Sequence, residues 1–149
     1  MKKITLQINK ACFENILKGT QKVEHRYVYP SNQKMYVQFK CNGVIYDNDD
    51  DLPDDGDVDV IPRDYDVLYL INGRRKDAPR LTVEIVKAEF VVMTDEEGND
   101  ITYIENGIEY FACQVWYHLG KVINTENVQL NIIAESKQEL TEQWDSAIT

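Results

Sequence analysis

The sequence predicts an α+β domain that is mainly β: an antiparallel, partly closed barrel with a short N-terminal helix and a C-terminal helix. Three observations carry that prediction. Short runs of apolar residues alternate with polar ones, as strands with one buried face require. The pairs Asn42-Gly43, Asn72-Gly73 and Asn106-Gly107 punctuate those runs, and each supplies the two left-handed residues that a tight hairpin turn needs. Apolar residues at helical spacing stand near the two ends of the chain.

Ile4, Leu6 and Ile8 alternate with Thr5, Gln7 and Asn9, which makes residues 4–8 the first strand. Asn9 can cap the helix that follows. Phe13, Ile16 and Leu17 give that helix its apolar stripe, and Gly19 stands where a left-handed C-terminal cap belongs. Residues 22–28 read as the next strand, whose period of two puts Lys22, Glu24 and Arg26 on one face and Val23, His25 and Tyr27 on the other. An unpaired buried charge costs on the order of several kcal/mol, so this row must face a cleft, water or its own members.

Residues 35–41 and 44–46 flank Asn42-Gly43 as a hairpin, and residues 67–71 form a further strand. Residues 81–94 are long and β-branched, residues 95–100 turn the chain back into residues 101–104, and Asn106-Gly107 opens an aromatic strand at 108–118. Residues 128–134 add one more strand. Ser136 with Glu139 makes a capping box, and Leu140, Trp144 and Ile148 give the last helix a stripe to dock on the barrel.

At 149 residues the chain fits one domain that buries roughly two thirds of its unfolded surface without disulfide or metal. The barrel domain spans residues 1–125 and a strand and helix extension spans 126–149. Cys12, Cys41 and Cys113 are odd in number and far apart, which argues against a disulfide framework or a zinc site and makes a reducing cytoplasm the expected location. No continuous apolar stretch follows Met1-Lys2-Lys3, so neither a signal peptide nor a membrane partner is expected.

The net charge of −10 is unevenly spread. Residues 47–66 hold ten Asp against one Arg, residues 126–149 hold four Glu and one Asp against Lys137, and the remainder is left at +3. The Asp-rich run at 47–59, with Pro53 and Gly56, reads as a loop or disordered insertion, and the acidic insertion at 47–66 as a docking surface for a basic protein partner. It fails the calcium-loop pattern, because Pro53 and Pro62 fall on ligand positions. No cofactor or metal is expected.

The order of strand, helix and glycine-led charged strand resembles the ASCH domain, a branch of the PUA-like β-barrels with the signature Gly-x-Lys-x-x-Glu-x-Arg after the first helix. That signature falls on Gly19, Gln21, Glu24 and Arg26, with Lys22 one residue beyond the position where the family has Lys. The resemblance covers roughly residues 3–120. It implies a small barrel whose cleft, between the motif strand and the helix, holds RNA, a nucleotide or a modified nucleoside.

In the ligand-binding reading Gly19, Gln21, Lys22, Glu24 and Arg26 line that cleft. Arg26 forks onto a phosphate or base edge, and Glu24 holds the guanidinium or accepts from an exocyclic amine. Arg74 and Arg75, with Lys76 and Arg80, form a cationic loop that could track phosphates, and Tyr65 is available for stacking with Tyr27, Tyr29, Tyr36 and Tyr69. Some relatives remove an acetyl group from acetylated cytidine. In that alternative Lys22 is the activated amine or oxyanion partner and Glu24 or Glu84 the base. Cys113 and His118, five residues apart on one strand, point to opposite faces and make no nucleophile pair.

Overall fold

The computed structural model describes residues 1–128; the strand expected from residue 128 onward and the C-terminal helix lie, but for Val128, outside the described residues. The chain divides into two compact units. Unit 1 comprises Met1–Lys22, Tyr65–Val86 and Leu119–Thr149, and unit 2 comprises Val23–Asp64 and Lys87–His118.

In unit 1 the alternation of Ile4 and Leu6 becomes β1 (Lys3–Gln7), whose apolar side chains are almost fully buried. Asn9 then caps α1 (Lys10–Lys18): its side chain accepts a hydrogen bond from the Cys12 N–H at 2.8 Å. Gly19 ends the helix at φ +81°, a conformation that costs a residue with a Cβ about 1 kcal/mol. Phe13 and Ile16 face inward from α1, each contributing about 1.5–3 kcal/mol of apolar burial. They pack in a core with Leu68 and Leu70 of β6 (Val67–Ile71) and Leu81 and Val83 of β7 (Arg80–Val92).

β1 pairs with β6 in parallel, Ile4 beside Leu68 and Leu6 beside Leu70, and β6 pairs with β7 antiparallel, Leu70 beside Leu81. The parallel pair corrects the all-antiparallel expectation. A parallel neighbour requires a long crossover, and here residues 8–66 intervene between the two strands.

Unit 2 contains β2 (Val23–Val28), which pairs antiparallel with β10 (Cys113–Glu126) so that Glu24 faces Tyr117, Arg26 faces Val115 and Val28 faces Cys113. β10 starts later and runs further than the aromatic strand expected at 108–118, and Ala112 separates it from residues 108–111, which form a strand of their own. A single helical turn, α2 (Gln33–Tyr36), occupies the start of the segment expected as strand 35–41, and β3 (Val37–Cys41) begins only after it. β3 is the centre of a three-stranded sheet, flanked by β4 (Val44–Tyr46) and β5 (Val58–Pro62).

β5 begins at the end of the run 47–59 expected to be a loop or disordered, and extends past it. Val58 and Val60 stand among the aspartates and pair with Cys41 and Phe39, so the backbone at the end of the acidic run is satisfied by a ladder. Asp47 tethers its start, accepting from Gln38 at 2.9 Å and pairing with Arg63 at 3.0 Å. Asn42-Gly43 and Asn106-Gly107 both adopt left-handed pairs, φ 53° and 79° and φ 52° and 77°, as their hairpins demand. The second joins β8 (Thr102–Glu105) to β9 (Ile108–Phe111).

The architecture is mainly β. The strands of the largest sheet are hydrogen-bonded in the order β1-β6-β7-β10-β2, with β1 and β2 at its edges, so the sheet is open and not closed into a barrel. Among the described residues no helix is long and apolar enough to cross a membrane.

Candidate functional site

Of the charged row expected at 22–28, Glu24 and Arg26 belong to β2, which begins at Val23. Glu24 and Arg26 share the face that Val28 buries, whereas Lys22 precedes the strand, is exposed, and belongs to unit 1. Glu24 is 7 % exposed, and its Oε2 lies 3.5 Å from Arg26 Nη2, an ion pair whose geometry falls short of a hydrogen bond. Burial pushes the Glu24 carboxyl above its ordinary value, outweighing the opposing pull of the Arg26 guanidinium and of His25. On the other face of β2, His25 meets Trp116 edge to face at 4.9 Å, and Tyr27 is 50 % exposed.

The remaining motif residues serve the end of α1. The N–H groups of Thr20 and Gln21 both donate to Asn15 O, and Lys22 Nζ lies 3.5 Å from where a Cβ on Gly19 would stand. A cation there complements the negative end of the helix. Tyr65 is half-buried just before β6, and Arg74 and Arg75 stand exposed in the turn after it, with Arg75 paired to Asp77 at 3.3 Å. Glu84 covers the bare backbone of Gly120 on β10. Arg80 extends over the ring of Tyr69, whose hydroxyl donates to Glu126 at 2.8 Å. The structure thus joins Glu24 to Arg26 and Gly19 to Lys22.

Unit 2 holds an aromatic site that motif reading missed. Tyr27 stacks on Tyr29 at 5.9 Å, Tyr29 meets Tyr103 edge-on at 5.8 Å, and Tyr103 stacks on Tyr110 at 5.6 Å. Behind Tyr103 and Tyr110 opens a cavity of about 260 Å³, walled by Phe39, Phe90 and Phe111 and by Val28, Val37 and Val60, with Gln33, Asp49 and Cys113 as its other polar lining. A signal for it was present. An Asn106-Gly107 turn forces position 103 to face position 110 across the hairpin, so both tyrosines could have been paired by counting outward from the turn.

Cys113 and His118 diverge as their parity requires. Burial raises the Cys113 thiol, with Asp100 adding to the effect, and its Sγ donates to Phe111 O at 3.5 Å. His118 Nε2 lies 2.6 Å from Glu89, which also pairs with Lys87 at 3.2 Å, and these two partners hold the Glu89 carboxyl below its ordinary value.

Charge separates the two units. Unit 2 carries five Lys or Arg against seventeen Asp or Glu, a balance of −12. The described part of unit 1, residues 1–22, 65–86 and 119–128, carries ten against five, a balance of +5. No protein-family model, curated protein or solved structure matches this chain significantly.

Proposed function

We propose that the chain is a non-catalytic binding module for RNA or a nucleotide, an ASCH-like relative of the PUA-like barrels, with its anion-facing surface on unit 1. The observation that carries this reading is the positive balance of that unit, concentrated where Arg74, Arg75 and Lys76 crowd one exposed turn. The succession of β1, α1 with its left-handed Gly19, and β2 supports the family reading. Arg26 is engaged with Glu24, so the principal phosphate contacts fall to the 74–76 turn, and Tyr65 is the nearest tyrosine in sequence on the other side of β6.

Titration with a labelled single-stranded RNA and a nucleotide panel tests the proposal. Replacing Arg74, Arg75 and Lys76 together by Ala should weaken RNA binding by roughly tenfold or more at about 50 mM salt and lower the salt slope by about 2, at about 0.7 per lost phosphate contact. Absence of saturable binding to any ligand at that salt would end the reading.

One observation favours a second reading, an amidohydrolase acting on an acylated nucleoside: Glu24 is a buried carboxyl with a raised proton affinity, as a general acid or base requires. Incubation with acetylated cytidine and chromatography for free cytidine tests it. Turnover that survives both Lys22→Ala and Glu24→Gln would rule out that mechanism.

A further inference from the structure

The cavity of unit 2 has a chemistry unlike that of a phosphate site. Five of its walls are aromatic rings, those of Phe39, Phe90, Tyr103, Tyr110 and Phe111, and its one ionised side chain is the exposed Asp49. Among the described residues that line it there is no Lys, Arg or His. Tyr103 and Tyr110 are held by hairpin register and by stacking at 5.6 Å, so that wall exists before any ligand arrives. Asp49 opens a helical turn with Asp50 and Asp51, and the whole unit carries −12.

Aromatic faces are negative at their centres and attract a cation within about 6 Å of the ring centroid. A carboxylate at the mouth adds attraction over roughly 8 Å at physiological salt. An anionic ligand meets the opposite of both effects. Size sets the other limit: a cavity of about 150 Å³ holds benzene, so the one here, at about 260 Å³, admits a single ring or branched apolar group with an ammonium attached.

We propose that this cavity binds a small organic ammonium ion, its apolar body against Phe39, Phe90 and Phe111, its cationic head toward the tyrosine faces and Asp49. Its lining residues all belong to unit 2 and the cationic turn to unit 1, so different variants test RNA binding and ammonium binding.

The test uses the full chain labelled with ¹⁵N. Benzyltrimethylammonium should give saturable amide shifts at Asp49, Tyr103, Tyr110 and Phe111, while amides of β1 and β6 stay still. Choline should bind at least about fivefold more tightly than its neutral isostere 3,3-dimethylbutan-1-ol, the range expected for a cation over partly desolvated rings. Asp49→Asn, an exposed substitution that leaves the walls intact, should weaken choline by about threefold or more, and Tyr110→Leu should weaken it further.

A peptide bearing trimethyllysine distinguishes the sources of such a group: tighter binding than choline places the ammonium on a protein side chain, weaker binding on a free amine. Equal affinity for choline and its neutral isostere, tighter binding of phenyl phosphate than of benzyltrimethylammonium, or no saturation by any cation up to roughly 10 mM would overturn the proposal.

Discussion

Glu24 places a titratable group inside a β-strand, and the consequence is a pH dependence with a definite sign. Burial raises its carboxyl above the ordinary value of 4.5, so just above that pH the folded chain keeps a proton that the unfolded chain has lost. Stability from this group is therefore complete below pH 4.5 and falls as the pH rises through the folded-state value. Glu24→Gln removes the titration. The melting temperature of the variant relative to the parent chain should rise between pH 4.5 and about pH 7, measured by calorimetry across that range. A difference that stayed flat or shrank would mean that Arg26, not burial, governs the carboxyl. The parity of residues 22–28 correctly put Glu24 with Arg26. It could not say that their face was the buried one, because that depends on Tyr117 and Val115 across the ladder.

The hairpin of β8 and β9 shows an element whose local code and tertiary use diverge. Its turn was legible, since Asn106 and Gly107 both occupy left-handed backbone. A two-stranded hairpin is marginal by itself, and beyond the stacking of Tyr103 on Tyr110 it gains Tyr29 and the cavity walls as neighbours. Gly107→Val places a β-branched side chain at φ +77°, a strain of about 1 kcal/mol or more. Amide hydrogen exchange at Tyr103 and Tyr110 should accelerate by about fivefold or more, while Leu68 and Leu70 stay protected. Uniform acceleration across both units would show that the hairpin is not a local unit of stability. β5 diverges the other way. Its valines pair with β3, yet the neighbouring aspartates dominate the composition and hide the strand from sequence reading.

At the scale of the whole molecule, charge is partitioned by unit rather than by chain position. The −12 of unit 2 repels itself, and that repulsion is screened by salt. Raising sodium chloride from about 0.1 M to about 1 M shortens the screening length from about 10 Å to about 3 Å, and should raise the thermal midpoint of the chain by a few degrees. RNA binding through unit 1 should weaken over the same titration. A midpoint that fell steadily with salt would mean that attractive ion pairs such as Arg63 with Asp47 outweigh the repulsion. Neutralising Asp49, Asp50 and Asp51 together to Asn should reduce the salt gain, measured by the same melts.

What the sequence determined by itself was local. The Asn9 cap, the left-handed Gly19, the Asn42-Gly43 and Asn106-Gly107 hairpin turns and the alternation of β1 depend on steric preferences and hydrogen bonds within a few residues, and those act alike in any fold, whereas Asn72 of the third Asn-Gly pair is not left-handed. The parallel pairing of β1 with β6, the open edge at β2, the inward face of Glu24 and the cavity were decided only by the tertiary structure. Each depends on side chains remote in the chain. The cavity needs Phe39 from β3, Phe90 from β7, and Tyr103 and Tyr110 from the hairpin to converge, and no period within one segment encodes where another segment will lie.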